Sequence, residues 1–293
     1  MTARIAFDGM IKALEEGANE KVDPRTVVPA PLITWPSTIT EIDEACTGFY
    51  GMVTLGAARG TGKTLLAIAS SLEATKTHQV CYFAAEDDQD GLAVRFNNYV
   101  NAHKYLVPHL GDWHLFQTAR GQTPAKLMAE IGDACDLDSP KPILVVMDSV
   151  NSLVEMSAYS YLDGLTESGL WAMLSRRYSR GQACFLVVSE TNKAGSVKGE
   201  KLPFWSDQVV IMQRSDSGAD IVEIELAKSR RSGGTGELGR FIRIWNQGEF
   251  MSQSELSELK RDAFKVVPIV PEEQVGTRAR EKPSEAMRIA ELF

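Results

Sequence analysis

Met52 to Gly56 is a short apolar run, Ala57-Ala58-Arg59-Gly60-Thr61-Gly62 is a loop of mostly small residues, and Lys63-Thr64 opens a run to Thr75 with Leu66, Ile68, Ala69 and Leu72 on one side. That order reads as strand, loop and helix. Small residues let consecutive backbone N–H groups wrap phosphate oxygens, a lysine reaches the β and γ oxygens, and the hydroxyl beside it serves a magnesium ion. Ala57, Ala58, Arg59, Gly60, Thr61, Gly62, Lys63 and Thr64 are therefore the candidate site for ATP or another nucleoside triphosphate with Mg2+, and Thr64 is a candidate metal ligand. Ala57 stands where such a loop usually has its first glycine, a change that keeps the loop small. An ordinary glycine turn before a helix is the competing reading.

Further apolar runs have the length of buried strands: Val80 to Ala85, Ile143 to Met147, Ala183 to Ser189 and Gln208 to Met212. Amphipathic stretches with helical spacing lie among them, at Gln89 to His103, Pro124 to Cys135 and Gly164 to Arg180. Strands rich in Val, Ile and Leu alternating with helices imply an α/β fold, a mostly parallel twisted sheet with helices on both faces. Ile221 to Ala227 and Phe241 to Trp245 alternate more clearly and flank a turn-rich segment, Ser229 to Gly239, which suggests an antiparallel extension on the C-terminal side. Residues 1–48 read as a helix, Ile5 to Glu16, followed by an extended arm with Pro24, Pro29, Pro31 and Pro36. Residues 49–251 are the expected core, and residues 252–293 a polar tail with a short helix at Ser284 to Leu292.

Two carboxylates end apolar runs. Asp148 follows Ile143 to Met147, where an apolar strand would deliver one acid beside the metal, although an Asp at a strand end can also be a plain helix cap. Glu86 follows Val80 to Ala85. Hydrolysis needs a carboxylate within reach of the γ-phosphate to orient and deprotonate water, and Glu86 is the candidate. Asp87 and Asp88 read as a cap of the next helix.

The formal charge of -8 and pI near 5.2 exclude a protein coated in basic charge and leave a local basic channel open. Cys46, Cys81, Cys135 and Cys184 are scattered and form no metal-binding pattern, so they read as buried small hydrophobes in a reducing compartment. Arg4, Asp8 and Lys12 interrupt the N-terminus, and neither a secretory signal nor a membrane span is expected there. A cytoplasmic location is expected, or a virion-associated one for a packaging motor.

The loop, the post-strand glutamate and the strand-ending aspartate stand in the order found in RecA-like ATPases, which the chain resembles from about Ser37 to Met251. That group includes replicative hexameric helicases, RadA and KaiC proteins and viral packaging motors. The run Ser189-Glu-Thr-Asn-Lys-Ala-Gly-Ser-Val-Lys-Gly-Glu-Lys201 followed by Trp205-Ser-Asp-Gln-Val-Val-Ile211 is similar to the RadA and KaiC pattern of a sensor residue, a mobile basic loop and a returning strand; Thr191 falls at that nucleotide-facing end. Ala227-Lys228-Ser-Arg230-Arg231 before a glycine turn is similar to a RadA stretch as well. The resemblance implies a homo-oligomer, hexameric in the helicase type, with ATP between subunits and Lys228, Arg230 or Arg231 reaching the neighbour's γ-phosphate; these cations could equally be a solvated hairpin end. It also implies that the loop with Lys193, Lys198 and Lys201 faces a central channel and tracks single-stranded DNA or RNA, where the bland alternative is a lysine-rich surface loop. Met156, Tyr159 and Tyr161 could offer rings to the same channel or pack in the core. The zinc module and protease-like domain of RadA proteins, the helical domain of replicative helicases and the second core of KaiC are missing from this sequence, as expected of a minimal motor of a phage or plasmid.

The leading expectation is thus a nucleic-acid-stimulated NTPase motor, a helicase, translocase, packaging or recombination ATPase. A KaiC-like signalling or assembly ATPase that never touches nucleic acid is the alternative, and the acidic pI leans toward it. A small-molecule kinase also uses a phosphate loop, but its lid supplies arginines within one subunit and it has no need of the glutamate.

Overall fold

Apolar runs of strand length, bounded by polar turns, become the central strands of this chain, because a strand buried on both faces has no reason to alternate. The computed structural model describes residues 32–86, 88–117, 124–153, 183–192, 195–197, 202–216, 218, 220–230 and 235–258. The helices expected at Ile5 to Glu16, Gly164 to Arg180 and Ser284 to Leu292 lie outside these residues, as do Met156, Tyr159, Tyr161 and Asp87.

A small antiparallel pair, β1 (Thr34–Trp35) with β2 (Phe49–Tyr50), brackets α1 (Thr40–Cys46). Next in the chain are β3 (Met52–Ala57), α2 (Lys63–Ala74), β4 (Gln79–Ala84), α3 (Gln89–Ala102), a 3-10 segment (Lys104–Asp112), β5 (Trp113–Gln117), α4 (Pro124–Ala134), β6 (Ile143–Asp148) and α5 (Val150–Leu153). The last part comprises β7 (Ala183–Glu190), α6 (Leu202–Trp205), β8 (Gln208–Arg214), β9 (Ile221–Ser229), β10 (Gly236–Ile244) and β11 (Glu249–Ser252). They form a nine-stranded sheet of order β11-β10-β9-β8-β3-β7-β6-β4-β5. From β5 to β8 all pairs are parallel, and β9, β10 and β11 extend the β8 edge antiparallel.

Every residue of β3, β4 and β6 is buried. The two-residue strand period sends Val80, Tyr82 and Ala84 to the face covered by α2 and α3, and Cys81 and Phe83 to the face covered by Leu127 and Ile131 of α4. All four cysteines are buried. The start of β8 is fastened to β3 by the Ser206-Asp207 step: Ser206 Oγ lies 2.6 Å from Thr54 Oγ1, and Asp207 Oδ2 accepts from the Met52 amide at 3.1 Å. Asp88 caps α3, its Oδ1 accepting from the Gly91 amide at 2.7 Å.

Several features depart from the sequence reading, among them the helix Thr40–Cys46, with Ile42 and Cys46 buried, inside the stretch read as an extended arm. β5, with His114 and Gln117, joins the sheet as an edge strand, where only partial burial is demanded. β11 closes the other edge. β10 begins at Gly236, inside the segment read as turns, because backbone pairing with β9 needs no apolar side chain; the register shift between Glu237 and Gly239 hides the strand period.

His78, 1% exposed, follows α2 and meets the Trp35 ring edge-on with centroids 6.3 Å apart. Burial pulls its pKa down to about 4. A histidine kept neutral in the fold stabilises it fully above the unfolded value near 6.5, and that contribution, on the order of 3 kcal/mol, is lost as pH falls toward 4. The urea midpoint of the protein is expected to drop between pH 7 and pH 4.5, and the drop should be smaller in His78→Gln.

Candidate nucleotide site

The carboxyl ends of the parallel strands are where a site can form, since chain turns there expose backbone amides and strand-ending side chains together. At the end of β3 the chain enters the loop Ala58 to Gly62, and Gly62, with φ 110°, is the left-handed residue that lets α2 start at Lys63. No side chain caps that start, so the first amides of a twelve-residue helix are open to an anion. Thr61 Oγ1 is buried with no partner among the described residues. Lys63, itself buried, folds back so that its Nζ donates to Ala57 O at 2.8 Å and Ala58 O at 3.1 Å. Burial lowers its pKa, against the pull of Asp148, Glu86 and Glu190.

Pairing of β6 between β4 and β7 delivers the carboxylates. Ala84 stands opposite Asp148, and the Ala85 amide donates to Asp148 O at 2.8 Å. Asp148, 4% exposed, has its Oδ2 held by Tyr82 Oη at 2.7 Å. Glu86 Oε1 accepts from Ser149 Oγ at 2.5 Å and from Ser152 Oγ at 2.8 Å. On β7, between β6 and β3, Glu190 stands opposite Ala57, and its Oε1 accepts from Arg59 Nε at 2.5 Å; this pairing raises the Arg59 pKa. The Thr191 amide donates to Ala57 O at 3.0 Å, so Thr191 borders the loop.

Arg214 at the end of β8 and Arg243 of β10 converge on one loop carbonyl, donating to Gly60 O at 2.9 Å and 2.6 Å. Arg243 also lies over the Trp245 ring, 4.7 Å from its centroid, and both residues bond Asp220 Oδ1. A cavity of about 470 Å³ results, lined by Arg59, Lys63, Thr64, Glu86, Ser152 and Trp245 among others. Its size suits a nucleotide. Thr64 and Asp148 supply the hard oxygen donors magnesium takes, and Lys63 with the bare helix start suits a polyphosphate.

Lys228 and Arg230 lie elsewhere. Antiparallel β9 carries them back to the amino-terminal edge of the sheet, where Val209 stands opposite both Lys228 and Thr54. Roughly 10 Å of strand separates that row from Ala57, and the loop lies beyond. Lys228 Nζ donates to Pro203 O at 2.7 Å and Phe204 O at 2.8 Å, and Arg230 to Phe204 O at 2.7 Å and Ser206 O at 3.2 Å. Arg231, Lys193, Lys198 and Lys201 lie outside the described residues. Beside the loop containing the lysines, Thr191 bridges to Val197.

Glu190, Tyr82, Ser149, Ser152, Arg214, Arg243 and Trp245 are not marked by the sequence motifs. Glu190 ends an apolar run, as Asp148 does, Arg214 follows one after Gln213, and Arg243 is a charge in the buried register of an alternating strand.

The fold is RecA-like. The chain is similar to an ATPase domain solved on its own, with TM-score 0.60 at 16% identity over 84% of this chain and 97% of that one. It is similar also to a DnaB-like replicative helicase, from a structure describing its interactions with primase, with TM-score 0.60 at 16% identity over 85% of this chain and 75% of that one. No protein-family model and no curated protein matches the sequence. Among the described residues, no helix is long and apolar enough to cross a membrane.

A Cβ at Gly62 would stand 2.8 Å from Phe250 Cζ and 3.2 Å from Arg243 Cδ, on a backbone that L-residues rarely adopt. Gly62→Ala should therefore weaken nucleotide binding by about tenfold or more, the ratio that 1.4 kcal/mol produces. Titration with a fluorescent ATP analogue checks it.

Proposed function

We propose that this chain is an oligomeric NTPase motor that acts on single-stranded nucleic acid. The observation that carries the reading is one cavity shared by a phosphate loop, Lys63, Thr64 and Glu86, with Asp148 beside it on the neighbouring strand. Backbone amides of the loop and the start of α2 bind the phosphates, and Lys63 exchanges its carbonyl partners for the β and γ oxygens. Magnesium, held by Thr64 and Asp148, would neutralise charge on those oxygens when bound. Glu86 orients the attacking water and takes its proton. Trp245, 45% exposed at the cavity wall, offers a ring for the base.

Lys228 and Arg230 act on a neighbouring subunit. They sit at the end of the strands opposite their own phosphate loop, which favours a role toward another subunit over one within the chain. Similarity to a DnaB-like replicative helicase supports the same reading. The lysine loop, Lys193, Lys198 and Lys201, contacts the nucleic-acid backbone, whose binding weakens steeply with salt.

ATP turnover measured with and without single-stranded DNA and RNA tests this. One polymer is expected to raise turnover several-fold, and an unchanged rate with an intact oligomer would leave a signalling or assembly ATPase. Lys63→Ala should abolish hydrolysis and nucleotide binding together, whereas Glu86→Gln should keep ATP bound and unhydrolysed. Mixing Arg230→Ala with Lys63→Ala subunits should recover part of the turnover, because a mixed interface can join an intact loop to an intact finger.

A further inference from the structure

The two serines just after β6 both aim at Glu86. Ser149 Oγ and Ser152 Oγ donate to the same atom, Oε1, at 2.5 Å and 2.8 Å, and no described residue donates to Oε2. Their placement is local. Ser149, 0% exposed, comes directly after Asp148 at the strand end, and the Ser152 amide donates to Ser149 O at 3.1 Å, so one helical turn of α5 sets the second hydroxyl beside the first. A serine hydroxyl has three staggered positions and a short reach, so a clamp built from two of them is stiff.

A glutamate in this cavity needs such a clamp. The Lys63 ammonium and the Arg59 guanidinium both feel the Glu86 charge. A freely rotating Glu86 side chain, which gives up about 1.5–2 kcal/mol of rotamer entropy on fixing, could settle its charge on either cation. Pairing with Lys63 would remove two functions at once, phosphate contact and proton acceptance. The hydroxyls compete for Oε1 instead, and Lys63 is turned to the Ala57 and Ala58 carbonyls.

We propose that Ser149 and Ser152 are positioning residues for hydrolysis, holding Oε1 of Glu86 so that Oε2 stays directed at water and off Lys63. The proposal rests on the reading of Glu86 as the base. As the water oxygen bonds to the γ-phosphorus, the bond from that phosphorus to the β–γ bridging oxygen breaks and the proton passes to Oε2; the serines donate throughout and transfer none. Ser152 is half-exposed and lies in α5, so the clamp joins the base to an element outside the phosphate loop.

The test uses the full chain with Ser149→Ala, Ser152→Ala, their pair and Ser152→Thr, each alone and combined with Glu86→Gln, reading single-turnover phosphate release and affinity for a fluorescent ATP analogue. Each alanine variant should slow hydrolysis about tenfold, and the pair up to about 100-fold, the scale of a misplaced catalytic group. Affinity should stay within about twofold, less than 0.5 kcal/mol. Ser152→Thr, which keeps the hydroxyl, should retain most of the rate. Combined with Glu86→Gln, the alanines should cost nothing further, because they act through the carboxylate. Wild-type rates in the alanine pair with Glu86→Gln inactive would overturn the clamp alone. Losses of equal size in the Glu86→Gln background, or losses that track nucleotide affinity, would overturn it as ordinary packing. A fully active Glu86→Gln protein would overturn both the base and its clamp.

Discussion

Parallel pairing among β4, β6, β7 and β3 puts the site in one place. Ala84 faces Asp148, Met147 faces Val187 and Ala57 faces Glu190, so the ends of four strands form a row from which Glu86, Asp148, Ser149 and the phosphate loop all depart. Each ladder bond contributes only about 1 kcal/mol net. Register is secured by burial: β6 is covered on both faces, and a one-residue slip would exchange Leu144 and Val146 with Val145 and Met147 between two differently shaped cores. The same slip would remove Asp148 from the Tyr82 hydroxyl. Packing far from the cavity thus sets the geometry of the charges within it.

Those charges are dense. Asp148, Glu86 and Glu190 all act on Lys63, and burial opposes the charged lysine more strongly than the carboxylates favour it. A site in that condition gains from an incoming polyphosphate, because the anion supplies Lys63 with stronger acceptors than two carbonyls. Arg59, 85% exposed at its side chain, neutralises Glu190 at the mouth of the cavity. Without it, a carboxylate at the end of β7 would repel the phosphates entering beside it.

Strand and loop logic made one part of the site legible in the sequence. The glycine loop, Lys63, Asp148 and Glu86 are marked by an apolar run that ends abruptly in a polar residue, and all four stand where that pattern puts them relative to the sheet. Arg243 and Arg214 are hidden because their meaning depends on β9 and β10 folding back over the loop, a long-range event with no local signature. Arg243 has one local clue, its place two residues from both Phe241 and Trp245 in an alternating strand. Ser149 and Ser152 look like helix-start residues, and their common target becomes visible only when β4 and β6 are neighbours. β5 carries no strand signal because an edge strand tolerates His114 and Gln117.

Several described cations are committed beside the loop, and two others sit at the opposite end of the strands. Arg59 is bound to Glu190, and Arg214 and Arg243 share the Gly60 carbonyl. Freeing Arg243, whose guanidinium also bonds Asp220, would remove support from the Gly60 turn of the loop. In the proposed reaction, charge developing on a γ-phosphate would meet Lys63 first, and Arg95 lines the same cavity. Lys228 and Arg230 are held instead at the opposite end of the strands by the carbonyls of residues 203, 204 and 206, with Asp207 Oδ1 3.9 Å from Arg230 Nε. In the proposed oligomer, these two cations would exchange carbonyl acceptors for a neighbour's phosphate, and an anion is the stronger acceptor of the two.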